Sequence, residues 1–251
     1  ISFEVELAGS GTAGVAPPWG PLVQACAFAE LVTEDERVEY VPLSDDSPGL
    51  TIYYHRHGVK RAGLGCKGSV EVSMLVGERP TLRFRFLGKA AVPAVAADPT
   101  VALSVWKVPK VVSEANTDPL IVGGAYAAGA VTGGTTFTSA GLSLNLNADV
   151  QFIPLVGAEY VEVVDRQPSG QITLDLSAAQ EVTFDGYVRS NALQSIALAH
   201  GKTAGNKVLV FAPAGQLSNQ RHVERNGLLM NQFDVGFDPV AGNDELRIVV
   251  A

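Results

Sequence analysis

Two cysteines, Cys26 and Cys66, are all that 251 residues contain. They are too few for a disulfide-built scaffold and are not spaced as a CxxC pair, so they read as buried, reduced thiols of a protein made in the cytosol. No stretch approaches the roughly 18 consecutive apolar residues of a membrane span, and no basic-then-apolar leader opens the chain. Positive charge is scarce too. Against 26 Asp and Glu stand 18 Lys and Arg, a net charge of −8, which argues against a phosphate-tracking groove because nucleic-acid affinity comes mainly from clustered Lys and Arg. An acidic wall can nevertheless let DNA slide past without sticking. Aromatic residues make up only 7% of the chain and sit mostly at inward-alternating positions, unlike the flat exposed platforms of a carbohydrate-binding face. The last absence is a constellation of acid, base and nucleophile.

What the chain does contain is alternation. Leu82, Phe84 and Phe86 alternate with Arg83 and Arg85, and Leu142, Leu144 and Leu146 with Ser143, Asn145 and Asn147. Ile172, Leu174 and Leu176 alternate with Thr173 and Asp175, and Phe233, Val235 and Phe237 with Asp234 and Gly236. Side chains of a strand point to opposite faces in turn, so a period of two predicts sheets with one buried and one solvated face. An apolar fraction of 47% supports a true core, and 26 Gly with 14 Pro supply turns for many short strands. The fold class is therefore mainly β, in sandwich or barrel modules.

The spacing predicts a strand over residues 1–7, so the chain, which opens at Ile1, is expected to lack a few preceding residues or to have been processed. A glycine-rich loop follows, and Pro17, Pro18 and Pro21 suit the opening of a helix over residues 18–30. Hairpins are expected at residues 50–66, turning at Gly58, and at 69–87, turning at 77–80. Residues 90–99 read as an Ala/Val/Pro connector and 101–125 as irregular. Strands resume over 136–147, 148–154, 160–164 and 171–176. A short helix is expected near 184–191, then strands at 193–200, 207–213, 215–219, 228–238 and 244–251. The halves share an order of strand, helix, hairpin, hairpin, and corresponding hairpin segments start at 68 and 215 and at 81 and 228, a common offset of 147. This pattern suggests an internal duplication, with modules over residues 1–100 and 101–251, each carrying one short helix and free to exchange strands.

No motif carries a site. Gly9-Ser-Gly11-Thr-Ala-Gly14 matches GxGxxG, but three prolines follow within seven positions and no βαβ alternation appears, so it reads as a flexible loop rather than a dinucleotide cradle. His55 and His57 share one strand face without a third ligand among Glu71, Cys66 and His200. Cys26 lacks a His and acid partner pattern, and Ser169 and Ser195 lack a GxSxG elbow. Trp19 is equally a core plug or an interface anchor. No catalytic, cofactor-binding or metal-binding residue is assigned, and no cofactor is expected.

The segments Phe3-Glu-Val-Glu-Leu-Ala-Gly-Ser-Gly-Thr-Ala-Gly14, Ala16-Pro-Pro-Trp-Gly-Pro-Leu22 and Gln24-Ala-Cys26 resemble the opening of a major tail tube protein of long-tailed, siphovirus-type bacteriophages. The resemblance continues through Val41-Pro42, Leu50-Thr-Ile-Tyr-Tyr54, the turn at 65–68, Asn116-Thr117 and Leu155-Val-Gly157. It runs on through Asp165-Arg-Gln-Pro-Ser-Gly170, Gly201-Lys-Thr-Ala-Gly-Asn206 and Gly242-Asn-Asp-Glu-Leu246. Each match is short, and their order across most of the chain makes them specific. The start at Ile1 and the apolar connector at 90–97 are the departures.

The resemblance implies a non-enzymatic virion protein, made in the host cytoplasm, whose copies form rings that stack into the tail tube. Sheets of neighbouring copies would join to line a bore that conducts DNA without binding it specifically. Partners would be further copies and the tape measure, terminator and distal tail proteins, with no membrane. Open strand edges, hazardous in a monomer, become productive in such a ring. The bore is expected to be acidic, with Glu71, Glu162 and Asp175 as candidates, and the loops at 45–49 and 220–227 as ring-to-ring contacts. Two modules per chain would give a trimer with pseudo-six-fold symmetry; one module in the tube and one outside would give a hexamer. The rival reading is a monomeric β-sandwich binding module, for carbohydrate or for tail decoration.

Overall fold

The computed structural model describes residues 1–251. Its elements run in the order β1 (Ser2–Glu6), α1 (Gly20–Gln24), β2 (Phe28–Thr33), β3 (Arg37–Pro42), β4 (Leu50–Arg56), β5 (Val59–Leu75), β6 (Thr81–Ala90), β7 (Ala94–Val95), β8 (Leu120–Ala127) and β9 (Ala130–Phe137). Then come β10 (Ser139–Asn145), β11 (Ala148–Leu155), β12 (Ala158–Arg166), β13 (Ser169–Leu174), α2 (Ala178–Ser190), β14 (Leu193–His200), β15 (Val208–Arg225), β16 (Leu228–Phe237) and β17 (Arg247–Val250). The protein is mainly β, as the alternation predicts, with one helix in residues 1–100 and one in 101–251.

Two layers emerge from the pairing. In the first, β1, β6, β5, β10, β13, β16 and the second half of β15 lie side by side, every junction antiparallel. In the second, β9, β8, β14, the first half of β15, β17, β3 and β2 follow one another. The eighteen residues of β15 serve both layers because its ladder to β14 shifts between Gln194 and Ile196, opposite Gly215 and Ala212, and its pairing with β16 begins at Gly215. Such a bulge bends a strand from one sheet into another. Inward residues of both layers meet in one core of 37 buried residues, among them Leu82, Phe84, Leu144, Ile172 and Phe233 from the first layer and Val38, Leu198, Val210 and Ile248 from the second.

The halves are laced together, since β5 pairs with β10 and β3 with β17. The bounds of β6 and β16 keep the offset of 147 at both ends (81 to 228 and 90 to 237), and each follows a single long strand, β5 or β15.

Several expectations need correction. The helix over 18–30 is only five residues long, because Ala27 takes a left-handed φ of 61° and Phe28 starts β2, which pairs with β3. The irregular stretch 101–125 gives way at Leu120 to the β8–β9 hairpin. The strands expected at 207–213 and 215–219 are one, and residues 220–225 continue it rather than forming a loop. Helix α2 starts six residues before the expected 184, at a capping box in which Ser177 and Gln180 satisfy each other's backbone amides. Its Phe184 is buried against Phe137, Tyr187 and Phe233, with ring centroids 5.1, 5.6 and 5.3 Å away, closing one end of the core.

Candidate self-association surfaces

The residues weighed for chemistry are scattered and already employed. Cys26 and Cys66 are buried free thiols, and burial pushes both above the ordinary thiol pKa, away from nucleophilicity. His55 lies on β4 and His57 in the following turn at φ 51°, and no three His, Cys, Asp or Glu side chains lie together to share a metal ion. Ser195 Oγ donates to the Gly124 carbonyl at 2.5 Å, and Ser169 Oγ accepts from Asn147 at 2.8 Å. The glycine-rich loop is docked against other backbone. Gly11 donates to the Gly205 carbonyl at 3.0 Å, and a Cβ on Gly14 would collide with the backbone of Asp35. Trp19 resolves to the core, only 1% exposed, with its Nε1 donating to the Ala8 carbonyl at 2.7 Å and its ring 5.1 Å from that of Tyr40.

The outer face of the first layer is a continuous polar floor. Register places Glu4 opposite Arg83, Arg83 opposite Glu71, Glu71 opposite Asn145 and Asn145 opposite Ser169. The next row runs Thr81, Ser73, Ser143, Gln171, Asp234 and Ser218. Its carboxylates are matched by arginines: Arg83 lies 3.2 Å from Glu4 and 3.8 Å from Glu71, Arg79 2.7 Å from Glu6, and Arg221 3.0 Å from Asp234. The Arg221 guanidinium, with Asn219 and Gln171, holds the Asp234 carboxyl below the usual carboxylate range. Of the three acidic candidates, Glu71 stands on this face. Glu162 lies instead on β12, paired with Lys67, and Asp175 sits just past the end of β13.

This face ends in two open edges. Strand β1 pairs with β6 alone, and residues 217–225 of β15 pair with β16 alone. Ile1 and Phe86 exchange two backbone bonds of 2.8 Å, so antiparallel alternation turns the N–H and C=O groups of Ser2, Glu4 and Glu6 towards the open side. On β15, the two-residue turn Asn226-Gly227, with φ of 53° and 83°, makes Arg225 and Leu228 a bonded pair. His222 and Glu224 therefore point their backbone groups outward. Two margins elsewhere, β9 and β4, are blunted. Gly133 and Gly134 both take positive φ in β9, and the β4 register slips between Leu50 and Ile52.

At one end of the first layer, beyond Asn145 and Ser169, the β11–β12 hairpin pairs with no other strand. Arg166 fastens its base by an ion pair to Glu245 and hydrogen bonds to Leu43 O (2.9 Å) and Asn243 Oδ1 (2.6 Å). Lys67–Glu162 and Lys89–Glu159 pairs hold its length. Phe152, Leu155, Val156, Tyr160 and Val164 remain exposed on it. The Asp45–Gly49 loop is near the same end, since neighbouring Ser44 bonds Asn243.

On the outer side of the second layer, Ala197, Leu209, Phe211 and Val249 form a small separate apolar cluster. Beside it Glu39 is buried between Arg37 (2.6 Å) and Arg247, whose guanidinium lies 4.6 Å from the centre of the Tyr126 ring. Burial alone would raise the Glu39 carboxyl, yet Arg37, Tyr126 and Arg247 hold it below the ordinary range. The two strands of the hairpin match those expected at 148–154 and 160–164, whereas the open edges could not be found by reading motifs, because they follow from pairing order.

A family model described as phage tail tube protein matches residues 2–238. None of the curated proteins matches the chain significantly.

Proposed function

Because the chain belongs to the phage tail tube protein family, whose members are structural components of the virion tail, we propose that it builds the tube by joining the first layers of neighbouring copies edge to edge. The carrying observation is the pair of open edges on one polar sheet. Six successive antiparallel junctions separate β1 from β15, so the two edges run in the same direction. A cyclic ring then seats β1 of one copy parallel to residues 217–225 of the next, a heterologous contact that closes. Charge agrees with this seating. Glu4 and Glu6 on one edge meet Arg221 and Arg225 on the other, all on the polar face.

Ring size follows from strand number. Three copies of seven strands give twenty-one, which at about 4.8 Å spacing and about 40° tilt close at about 42 Å between backbones, leaving about 32 Å inside the side chains. Six copies would leave about 74 Å by the same geometry, room for a duplex to fold back on itself. A trimer therefore fits a tube that conducts one duplex, and both halves of the chain, as two tail-tube-like modules, take part in its wall. The polar face becomes the bore. Its carboxylates are held by arginines, so it offers DNA neither a basic track nor a bare acidic wall, and passage needs no chemistry from the protein. Tape measure, terminator and distal tail proteins would meet the tube at its core and ends.

Cryo-electron microscopy of assembled tubes tests this. Three-fold rings with β1 beside β15 of the next copy are expected. True six-fold density with one chain per sector overturns the trimer, and a particle that stays monomeric at all concentrations favours the binding-module reading.

A further inference from the structure

The geometry points to an axial lock: the tip of the β11–β12 hairpin of one copy seats in an apolar groove of a copy in the next ring. This rests on the tube reading and adds the contact that stacks rings. The tip offers Leu155, 56% exposed, and Val156, fully exposed, on a turn at Gly157 with φ 95°. A two-stranded hairpin is at best marginally stable alone, so unburied apolar residues at its tip call for a second surface.

That surface is available at the other end of the protomer. A groove of about 490 Å³ lies between the β8–β9 hairpin and the outer face of β14, β15 and β17, floored by Ile121, Ala197, Leu209 and Val249 and rimmed by Lys202 and Lys207. Its rim loop, residues 201–207, is tied to the end opposite the hairpin by two routes. Gly201 bonds Asn116, four residues from Val112, which exchanges backbone bonds with the β5–β6 turn at Gly77 and Glu78. Gly205 accepts from Gly11, four residues from Leu7, which bonds Pro80 of the same turn. The hairpin leaves from the far ends of β10 and β13.

Knob and groove therefore lie towards opposite axial ends of the protomer. Such a contact cannot close within a ring and repeats from ring to ring, as a tube requires. Glu159 beside the tip is paired with Lys89 and Lys202 beside the groove with Asp118, which leaves Lys207 as the unpaired cation at the groove. The groove is large enough for both tip side chains.

Two variants of the full-length protein test the lock. Leu155→Asp with Val156→Asp changes only exposed positions, so rings are expected to persist while stacking weakens roughly a hundredfold per ring contact. In the second, Val156→Cys with Lys207→Cys, oxidation of assembled tubes should give covalent ladders extending beyond the copy number of one ring, and the native thiols are buried and do not interfere. Tubes of ordinary length from the aspartate variant overturn the lock, as do tubes without ladders. A product that stops at one ring's copy number places the tip on a lateral neighbour and also overturns it. A wild-type protein that forms no rings removes the tube reading itself, a result distinct from rings that fail to stack.

Discussion

Replacing Glu4 by proline probes the ring edge while sparing the protomer. The Glu4 amide points away from β6, so proline removes no bond of the β1–β6 ladder, and edge positions tolerate it. In the assembly that amide would be a donor to the neighbouring β15, and the proline ring would also hold the incoming strand away. Loss of one inter-strand hydrogen bond, with its partner carbonyl left buried, costs about 1–3 kcal/mol, or roughly 5–150-fold per contact. A three-membered ring contains three such contacts, so its assembly constant falls by the cube of that factor.

The substitution also removes the Glu4–Arg83 ion pair, whose partners are 46% and 55% exposed. Such pairs contribute little, and Glu4→Ala, which keeps the amide, isolates that effect. Sedimentation and negative-stain imaging should show Glu4→Ala assembling nearly as the wild type and Glu4→Pro remaining as protomers at concentrations where the wild type forms rings. Thermal melting of the two protomers should agree within a few degrees. Rings of ordinary yield from Glu4→Pro would show that β1 is not a joint.

Phe184→Ala should cost about 3–5 kcal/mol of protomer stability, because it empties the aromatic plug between α2 and the sheet; denaturant titration measures it. Glu39→Gln leaves Arg37 and Arg247 facing a neutral partner, and about 3 kcal/mol should be lost, the low end for breaking a buried pair because the arginines remain 18% and 26% exposed. His200 gives a pH signature. Its Nε2–H donates to the Lys110 carbonyl at 3.1 Å, its Nδ1 accepts from the Thr117 hydroxyl at 2.8 Å, and burial lowers its pKa below the ordinary 6.5. A depressed folded-state value means stability is full above pH 6.5 and is lost as pH falls through the folded pKa. Melting temperature should therefore drop on acidification from pH 7 to 5, and less steeply in His200→Gln.

Period-two alternation located β6, β10, β13 and β16 because each lies between a wet face and a dry one. The hairpins at Gly58 and at 77–80 were likewise marked by turn residues. Where the reading failed, a distant partner had overridden a local pattern. Leu22, Val23, Cys26 and Phe28 do mimic a helical stripe, but Phe28 pairs with Pro42 across β3 and the helix stops short. The β8–β9 hairpin hid behind Gly123, Gly124, Gly133 and Gly134, whose lack of side chains erases alternation. The start of α2, expected at 184, carries a local signal that the expectation missed, since Ser177 and Gln180 stand three apart as a capping box requires. The surfaces were least legible. Whether an edge is open depends on every other pairing in the sheet, and no local residue reports it.

The distribution of edges explains how such a chain can polymerise without aggregating. One core joins both halves, so the protomer can fold before it assembles, and its margins must then be safe while unpaired. Paired left-handed glycines twist β9 out of register for a partner. The β4 margin slips register between Leu50 and Ile52 and carries Arg56 at its end, which spoils it for a second copy of the same edge. The margins of the polar layer are β1 and the end of β15, and they carry Glu4 and Glu6 on one side and Arg221 and Arg225 on the other. Two β1 edges would set Glu4 and Glu6 against their own kind, and two β15 ends would set Arg221 and Arg225 likewise, so like edges are disfavoured and unlike edges attract. Because the unlike edges run parallel on one curved sheet, the pairing that charge selects is also the one that closes. Reversing the signs on one edge alone should abolish rings, and reversing both should restore them.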